Sequence, residues 1–220
     1  GADGITNEMI IHSPENIQNC ILNIFIACIF HEYTPTPWQI ANSAIIGKPG
    51  KSDYSNIKSY RIISLTSNLL KLLETLVLWH MQEDLHIEES INPNQYGFRS
   101  GHSTEAIITK VINKIQTALK HGDHALGIFL DIQGAFDNIP KKSIKEALDK
   151  TLAKGKISNW IVNMISNRYI TLKLAGENII RLIPKGCPQG GVLSPFLWNL
   201  VVNNLLQVFS GLDNLLAYAD

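Results

Sequence analysis

Short apolar runs of strand length alternate with longer runs at helical spacing along nearly the whole sequence, and that alternation restricts the fold more than any other feature. Ala41 to Ile46 and Tyr60 to Leu65 read as strands joined by a polar, turn-rich loop from Gly47 to Ser59, which makes them a hairpin. Tyr169 to Leu174 and Ile179 to Ile183 read as a second hairpin around Ala175-Gly176-Glu177. Ala125 to Leu130 and Leu215 to Ala219 read as single strands, each followed by an aspartate, Asp131 and Asp220. Helices lie between them. The first has Ser13 as N-cap and Pro14 at its first position, runs to about Tyr33 and ends at Thr34-Pro35-Thr36-Pro37. Thr66-Ser67-Asn68 caps the next, where Leu69, Leu72, Leu73, Leu76 and Trp79 or His80 follow helical spacing. Ser103 to Leu119, Lys141 to Leu152, Ile157 to Ser166 and Leu193 to Phe209 complete the set. Strands separated by long helices imply an α+β fold, an antiparallel or mixed sheet backed by helices.

A chain of 220 residues can bury such a core, as one large or two small domains. Its 45% hydrophobic and 17% charged residues suit a globular protein. Nineteen basic and nineteen acidic residues cancel, so any groove for a polyanion must be local. Cys20, Cys28 and Cys187 show neither paired metal spacing nor a disulfide framework, which argues against zinc and suits a reducing compartment. The longest apolar stretch, Cys20 to Phe30, is interrupted by Asn23 and falls short of the roughly 20 residues that span a bilayer. It reads as a buried helix. The sequence opens at Gly1-Ala2-Asp3-Gly4-Ile5 without an initiating Met or a signal peptide, and reads as a fragment cut at both ends.

The two strand-end aspartates point to chemistry. Mg²⁺ takes hard oxygen ligands and is usually held by one or two carboxylates plus substrate phosphates. Nucleotidyl transfer uses two such ions about 4 Å apart, to activate an attacking hydroxyl and stabilise a leaving pyrophosphate. Carboxylates at the ends of separate strands can converge on such a point, although a lone Asp commonly ends a strand or caps a helix.

Further motifs fix the reading. Ala44-Ile45-Ile46-Gly47-Lys48-Pro49-Gly50-Lys51, followed by Tyr60-Arg61-Ile62-Ile63-Ser64-Leu65, places a Lys and an Arg on the two arms of one hairpin. Asn94-Gln95-Tyr96-Gly97-Phe98-Arg99-Ser100-Gly101-His102-Ser103-Thr104 is a glycine-containing loop with an Arg. Gly186-Cys187-Pro188-Gln189-Gly190-Gly191-Val192-Leu193-Ser194-Pro195 is another. In this order, with Phe129-Leu130-Asp131-Ile132-Gln133-Gly134-Ala135-Phe136-Asp137 and Tyr218-Ala219-Asp220, they resemble the reverse transcriptases of non-LTR (LINE-like) retrotransposons over essentially the whole chain.

The resemblance implies a right-hand polymerase fold: residues 1–124 mainly fingers, residues 125–220 mainly palm, with a palm antiparallel sheet backed by helices and the thumb absent. It implies an RNA-directed DNA polymerase core that adds dNTPs to a primer 3′-hydroxyl with two Mg²⁺ ions, or Mn²⁺ in their place. Asp131 and Asp220 match the catalytic metal ligands, with the backbone carbonyl of Ile132 assisting. Asp3 and Asp137 receive no metal role; Asp137 occupies the family's Ala-Phe-Asp position and reads equally as a structural or helix-capping residue and as a catalytic one. Lys48 and Arg61 match residues that hold the triphosphate, where charge-assisted hydrogen bonds suit a leaving pyrophosphate. Phe136 matches a steric gate whose ring excludes a 2′-hydroxyl, and otherwise reads as a core Phe. Gln189 matches a residue that contacts the incoming nucleotide, with Gly190 and Gly191 allowing close backbone approach to substrate. Gly97, Phe98, Arg99 and Gly190 match template and primer contacts.

The implied partners are an RNA template, a DNA primer or nicked target DNA, and dNTPs, with no membrane. Linked endonuclease and thumb regions in a parent protein are likewise implied, as is an intracellular location in a cytoplasmic ribonucleoprotein and the nucleus; no basic cluster here reads as a localisation signal. Departures exist. Ile62 replaces the Pro of the family's Arg-Pro-Ile-Ser-Leu, Gly47 stands where Ile-Pro-Lys is common, and the second Asp of Tyr-Ala-Asp-Asp is not among these residues. Two other readings share these features: a catalytically inactive RNA-binding remnant, and an RNA-dependent RNA polymerase, which Phe136 opposes.

Overall fold

A computed structural model describes residues 1, 3–174, 176–209 and 215–218. The β-prone runs pair as their patterns require. Strand β1, Ile40–Gly47, pairs antiparallel with β2, Tyr60–Leu65, setting Ile46 opposite Arg61 and Ala44 opposite Ile63. Strand β3, Arg168–Leu174, pairs antiparallel with β4, Glu177–Ile183. A short parallel pairing of Ile40, Ala41 and Asn42 with Tyr169, Ile170 and Thr171 fuses the two hairpins into one sheet of order β2-β1-β3-β4. The Ser43 hydroxyl donates to the Thr171 carbonyl at 2.7 Å across that seam. The sheet is therefore mixed and draws strands from both halves of the chain.

Helices α1, Asn7–Ile11, α2, Glu15–Phe30, and the single turn α3, Thr36–Gln39, precede the sheet. Helix α4, Asn68–Trp79, follows β2, and α5, Thr104–Lys120, starts where the Ser103 side chain accepts from the Ala106 N–H. The turn α6, Ala135–Asn138, leads to α7, Lys141–Asp149, α8, Lys156–Ser166, and finally α9, Ser194–Val208. Apolar faces of α4, α7, α8 and α9 meet in the core, around Leu73, Leu148, Trp160, Ile161 and Leu197. Each of these is nearly or wholly sequestered from solvent, which makes this helical layer the main source of hydrophobic stabilisation.

Four expectations change. Ser13 does not cap α2; its hydroxyl donates to the Ile10 carbonyl at 2.7 Å and Pro14 occupies the cap position. Helix α2 is not buried: only Phe25 and Cys28 are enclosed, because one narrow face rests on the body while Leu22, Ile26 and Phe30 face solvent. Residues 125–130 form no strand, since a β-strand exists only by pairing and no described strand lies beside them. Leu126 is 90% exposed and Phe129 88%. Residues 215–218 join the sheet no more than these do. Ala217 instead bridges Gln95, accepting from the Tyr96 N–H and donating to the Asn94 carbonyl, both at 2.9 Å. Ala219 and Asp220 lie outside the described residues.

The exposure at 126–130 has a measurable consequence. Leu126→Ser and Phe129→Ser are expected to change the stability of this chain by less than about 0.5 kcal/mol, as for surface substitutions. A urea midpoint lowered by the equivalent of 2 kcal/mol would show that the segment is packed.

Candidate active site

The segment Gly186–Gly191 is clamped between α6 and β2. At Gly186, φ is +78° and a Cβ would lie 2.5 Å from the Phe136 carbonyl oxygen, so only glycine allows this approach. The Gly186 N–H donates to the Ile139 carbonyl at 3.0 Å and the Cys187 N–H to the Phe136 carbonyl at 2.7 Å. On the other side, the Ser64 N–H of β2 donates to the Gln189 carbonyl at 2.8 Å. A Cβ on Gly190 would stand 2.8 Å from the Ser64 carbonyl oxygen. The close approach seen at Gly190 is thus to the chain's own strand. The Gln189 side chain donates to Asp137 Oδ2 at 3.3 Å, which places the nucleotide-contacting candidate beside α6.

Two buried charged residues that motif matching passed over hold this segment in place. Arg168 Nη2 donates to the carbonyls of Lys185 at 3.1 Å and Gly186 at 2.7 Å, and its Nε to the Ile165 carbonyl at 3.2 Å. Glu74 Oε2 accepts from the Leu193 N–H at 2.9 Å, just before α9. Burial pushes the Glu74 carboxyl up to about 7, against the pull of the Leu193 and Val192 N–H groups and the charges of Lys71 and Arg168. Burial likewise pushes the neighbouring Cys187 thiol up to about 12, so it serves as a small apolar side chain and not as a nucleophile. Glu74 had a legible signal: it sits among Leu70, Leu73 and Val77 on the buried face of α4, where a charge has no ordinary place. Arg168, at the start of a strand, had none.

Because the folded carboxyl binds its proton more tightly than the 4.5 of an unburied Glu, the folded state carries the extra proton between pH 4.5 and about 7. Stability therefore falls as pH rises through that window and levels off above it. At about 1.4 kcal/mol per pH unit, Glu74→Gln is expected to gain up to roughly 3 kcal/mol over the natural chain at pH 8 relative to pH 4. Urea unfolding at both pH values checks this; equal differences at the two would contradict it.

The aromatic candidates converge. Phe136, on α6, meets Phe98 edge-on at 5.8 Å between ring centroids and Trp198 of α9 at 6.0 Å. Phe98 has a positive φ of 52° and stays half exposed. That strained backbone is held from below by a polar network. Gln95 Nε2 donates to Asn199 Oδ1 at 3.0 Å, and Asn199 Nδ2 donates to the carbonyls of Gly97 at 2.9 Å and Phe98 at 3.3 Å. Gly97 is buried, and the Arg99 guanidinium is turned onto the carbonyls of Asn92 at 3.0 Å and Gln95 at 3.2 Å. Of the loop candidates, Phe98 is presented to solvent and Gly97 and Arg99 support it.

The remaining candidates lie further out. Lys48 Nζ donates to the Lys58 carbonyl at 3.0 Å and the Lys48 carbonyl accepts from the Tyr54 hydroxyl at 2.7 Å, which ties it into the hairpin loop. Arg61 is exposed on β2, three positions from Ser64, or about 10 Å along the strand. Asp131 and Ile132 are exposed in the stretch leading to α6. Among the described residues no three His, Cys, Asp or Glu side chains form a ready metal cluster. Mg²⁺ does not need one, since substrate phosphates and water complete its shell; the solvent-facing Asp131 carboxylate has the donor chemistry it takes. Asp220, its expected companion, lies outside the described residues.

The family model for "Reverse transcriptase (RNA-dependent DNA polymerase)" matches residues 46–220. The "Retrovirus-related Pol polyprotein from type-1 retrotransposable element R1" of Bradysia coprophila is 30% identical over 207 residues, 94% of this chain and 20% of that protein. The "RNA-directed DNA polymerase from mobile element jockey" of Drosophila melanogaster is 29% identical over 206 residues, 93% of this chain and 22% of that protein. The chain thus spans about a fifth of the length of these relatives. Among solved structures, apo telomerase from Candida tropicalis truncated from its C-terminal domain aligns at a TM-score of 0.49 and 13% identity, covering 87% of this chain and 44% of that one.

Proposed function

The chain belongs to the reverse transcriptase (RNA-dependent DNA polymerase) family, and from that premise we propose that it forms the nucleotide-selecting core of an RNA-directed DNA polymerase. Residues 1–124 act mainly as fingers and residues 125–220 as palm. In the reaction, the primer 3′-hydroxyl oxygen bonds to the α-phosphorus of a dNTP, the bond to the β-phosphate oxygen breaks, and pyrophosphate leaves. When bound, Mg²⁺ at Asp131, the Ile132 carbonyl and Asp220 would supply activation of that hydroxyl and charge neutralisation of the pyrophosphate.

The chain's own side chains select and align. Lys48 and Arg61 lie on one hairpin, and their cationic donors suit the β- and γ-phosphates; Lys48 would exchange its Lys58 carbonyl for phosphate. Gln189, fixed through its carbonyl to Ser64, offers an amide to the incoming nucleotide. The observation that carries the reading is the wedging of Phe136 between Phe98 and Trp198. A ring held on two sides cannot swing away from a ribose 2′-hydroxyl, so the clash discriminates. RNA template, DNA primer or nicked DNA, and dNTPs are the implied substrates.

Phe136→Ala tests this. Incorporation of ribonucleotides relative to deoxynucleotides is expected to rise at least about tenfold, a discrimination loss of about 1.4 kcal/mol. An unchanged ratio, with extension intact, would remove Phe136 from the gate role. The alternative is an inactive RNA-binding remnant; template binding without extension in the natural protein that carries this chain would select it.

A further inference from the structure

A small cavity of about 20 Å³ lies beneath the Gly186–Gly191 segment, where β1, β2, α4 and β3 meet. That is room for about one water molecule. Its polar lining includes Arg168 and, from three separate parts of the chain, Thr34 before α3, Thr66 after β2 and Glu74 on α4. These last three are exposed by only 1%, 6% and 1% respectively. Thr34 Oγ1, Thr66 Oγ1 and Glu74 Oε1 are all buried without a hydrogen-bond partner among the described residues. A single buried polar atom in this state is costly, and the convergence of these residues on one cavity calls for a shared partner. Water suits them: it can donate to the carboxylate while the two hydroxyls donate or accept as required.

We propose that this cavity is a binding site for one water molecule shared by Thr34, Thr66 and Glu74, and that Glu74, anchored in this way, is a positioning residue for the segment carrying Gln189. One carboxylate oxygen takes part in the water site. The other receives the Leu193 N–H, four residues after Gln189. The Pro188 ring, which also lines the cavity, brings the same segment to the same wall. Arg168 supplies the second anchor through the Gly186 carbonyl, so the segment is held at both ends. The importance assigned to Gln189 rests on the polymerase reading; the water site and the anchoring do not.

The test uses the whole chain and needs no catalytic activity. Hydrogen exchange at the Leu193 amide is measured beside global urea stability, and a crystal structure at a resolution that shows water is determined. Glu74→Leu is expected to speed Leu193 exchange at least about tenfold beyond the change in global unfolding, the equivalent of one lost hydrogen bond. Glu74→Gln, which keeps an acceptor for Leu193 and a polar group for the water, is expected to restore slow exchange. Thr66→Val keeps the shape of the wall, so it guards against a Glu74→Leu chain that does not fold; it is expected to speed the same amide without lowering global stability comparably. A cavity without ordered water, Leu193 exchange that follows global stability alone in Thr66→Val and Glu74→Leu, or exchange in Glu74→Gln as fast as in Glu74→Leu, would overturn the proposal. A polymerase defect with these readouts intact would instead count against the functional reading.

Discussion

Asp131→Asn is expected to lower RNA-templated primer extension by about a thousandfold or more while leaving the fold's stability within about 0.5 kcal/mol of the natural protein. The two halves of this expectation have separate causes. Asp131 is exposed in a stretch that forms no strand, so replacing its carboxylate with an amide removes little that holds the chain together. In catalysis the same change removes a formal charge from a metal site whose stabilisation of transferring phosphoryl oxygens amounts to several kcal/mol, and each tenfold in rate corresponds to about 1.4 kcal/mol. Extension rates and urea midpoints measured on one preparation check both. Extension within threefold of the natural protein would remove Asp131 from the metal site. A large loss of stability would mean that the rate effect reports unfolding.

Trp160→Ala is expected to destabilise the fold by about 3–5 kcal/mol, the range for truncating a buried aromatic residue to Ala. Trp160 is 0% exposed at the centre of α8, among α7, α9 and the rest of the helical layer. Its Nε1 has no hydrogen-bond partner among the described residues. Trp160→Phe, which deletes that unpaired N–H and leaves a smaller void, is therefore expected to cost markedly less. Equal losses for the two substitutions would contradict this and show that the core requires the indole itself. Chemical unfolding of the three proteins gives the comparison.

Both hairpins were legible in the sequence because each carries its own partner: Tyr60 to Leu65 is bounded by turn residues and is the next strand-like run after β1. The long helices were legible from spacing and caps, Ser103 above all. The parallel joint between β1 and β3 was not, because no local pattern reports which strand edges meet across more than a hundred residues. Residues 125–130 have strand character in composition, yet composition cannot supply the neighbour a strand needs. Helix α5 shows the same limit: Ile108, Ile112, Ile115 and Leu119 recur at helical spacing and remain exposed. In the site, motifs located Phe136, Phe98 and Gln189, but not the reason they stay in place. That reason lies in single polar residues, Glu74, Gln95, Arg168 and Asn199, which bond to backbone groups distant in sequence.

Family membership and the wedged Phe136 converge on one central claim, that this chain is the core of an RNA-directed DNA polymerase. The most direct test is labelled-dNTP incorporation on a defined RNA template with a DNA primer and Mg²⁺, using the natural protein that carries these residues. The expected product is complementary DNA whose sequence follows the template and whose synthesis stops on chelation of the metal. Folded protein that binds template and primer yet adds no nucleotide, with either Mg²⁺ or Mn²⁺, would contradict that claim.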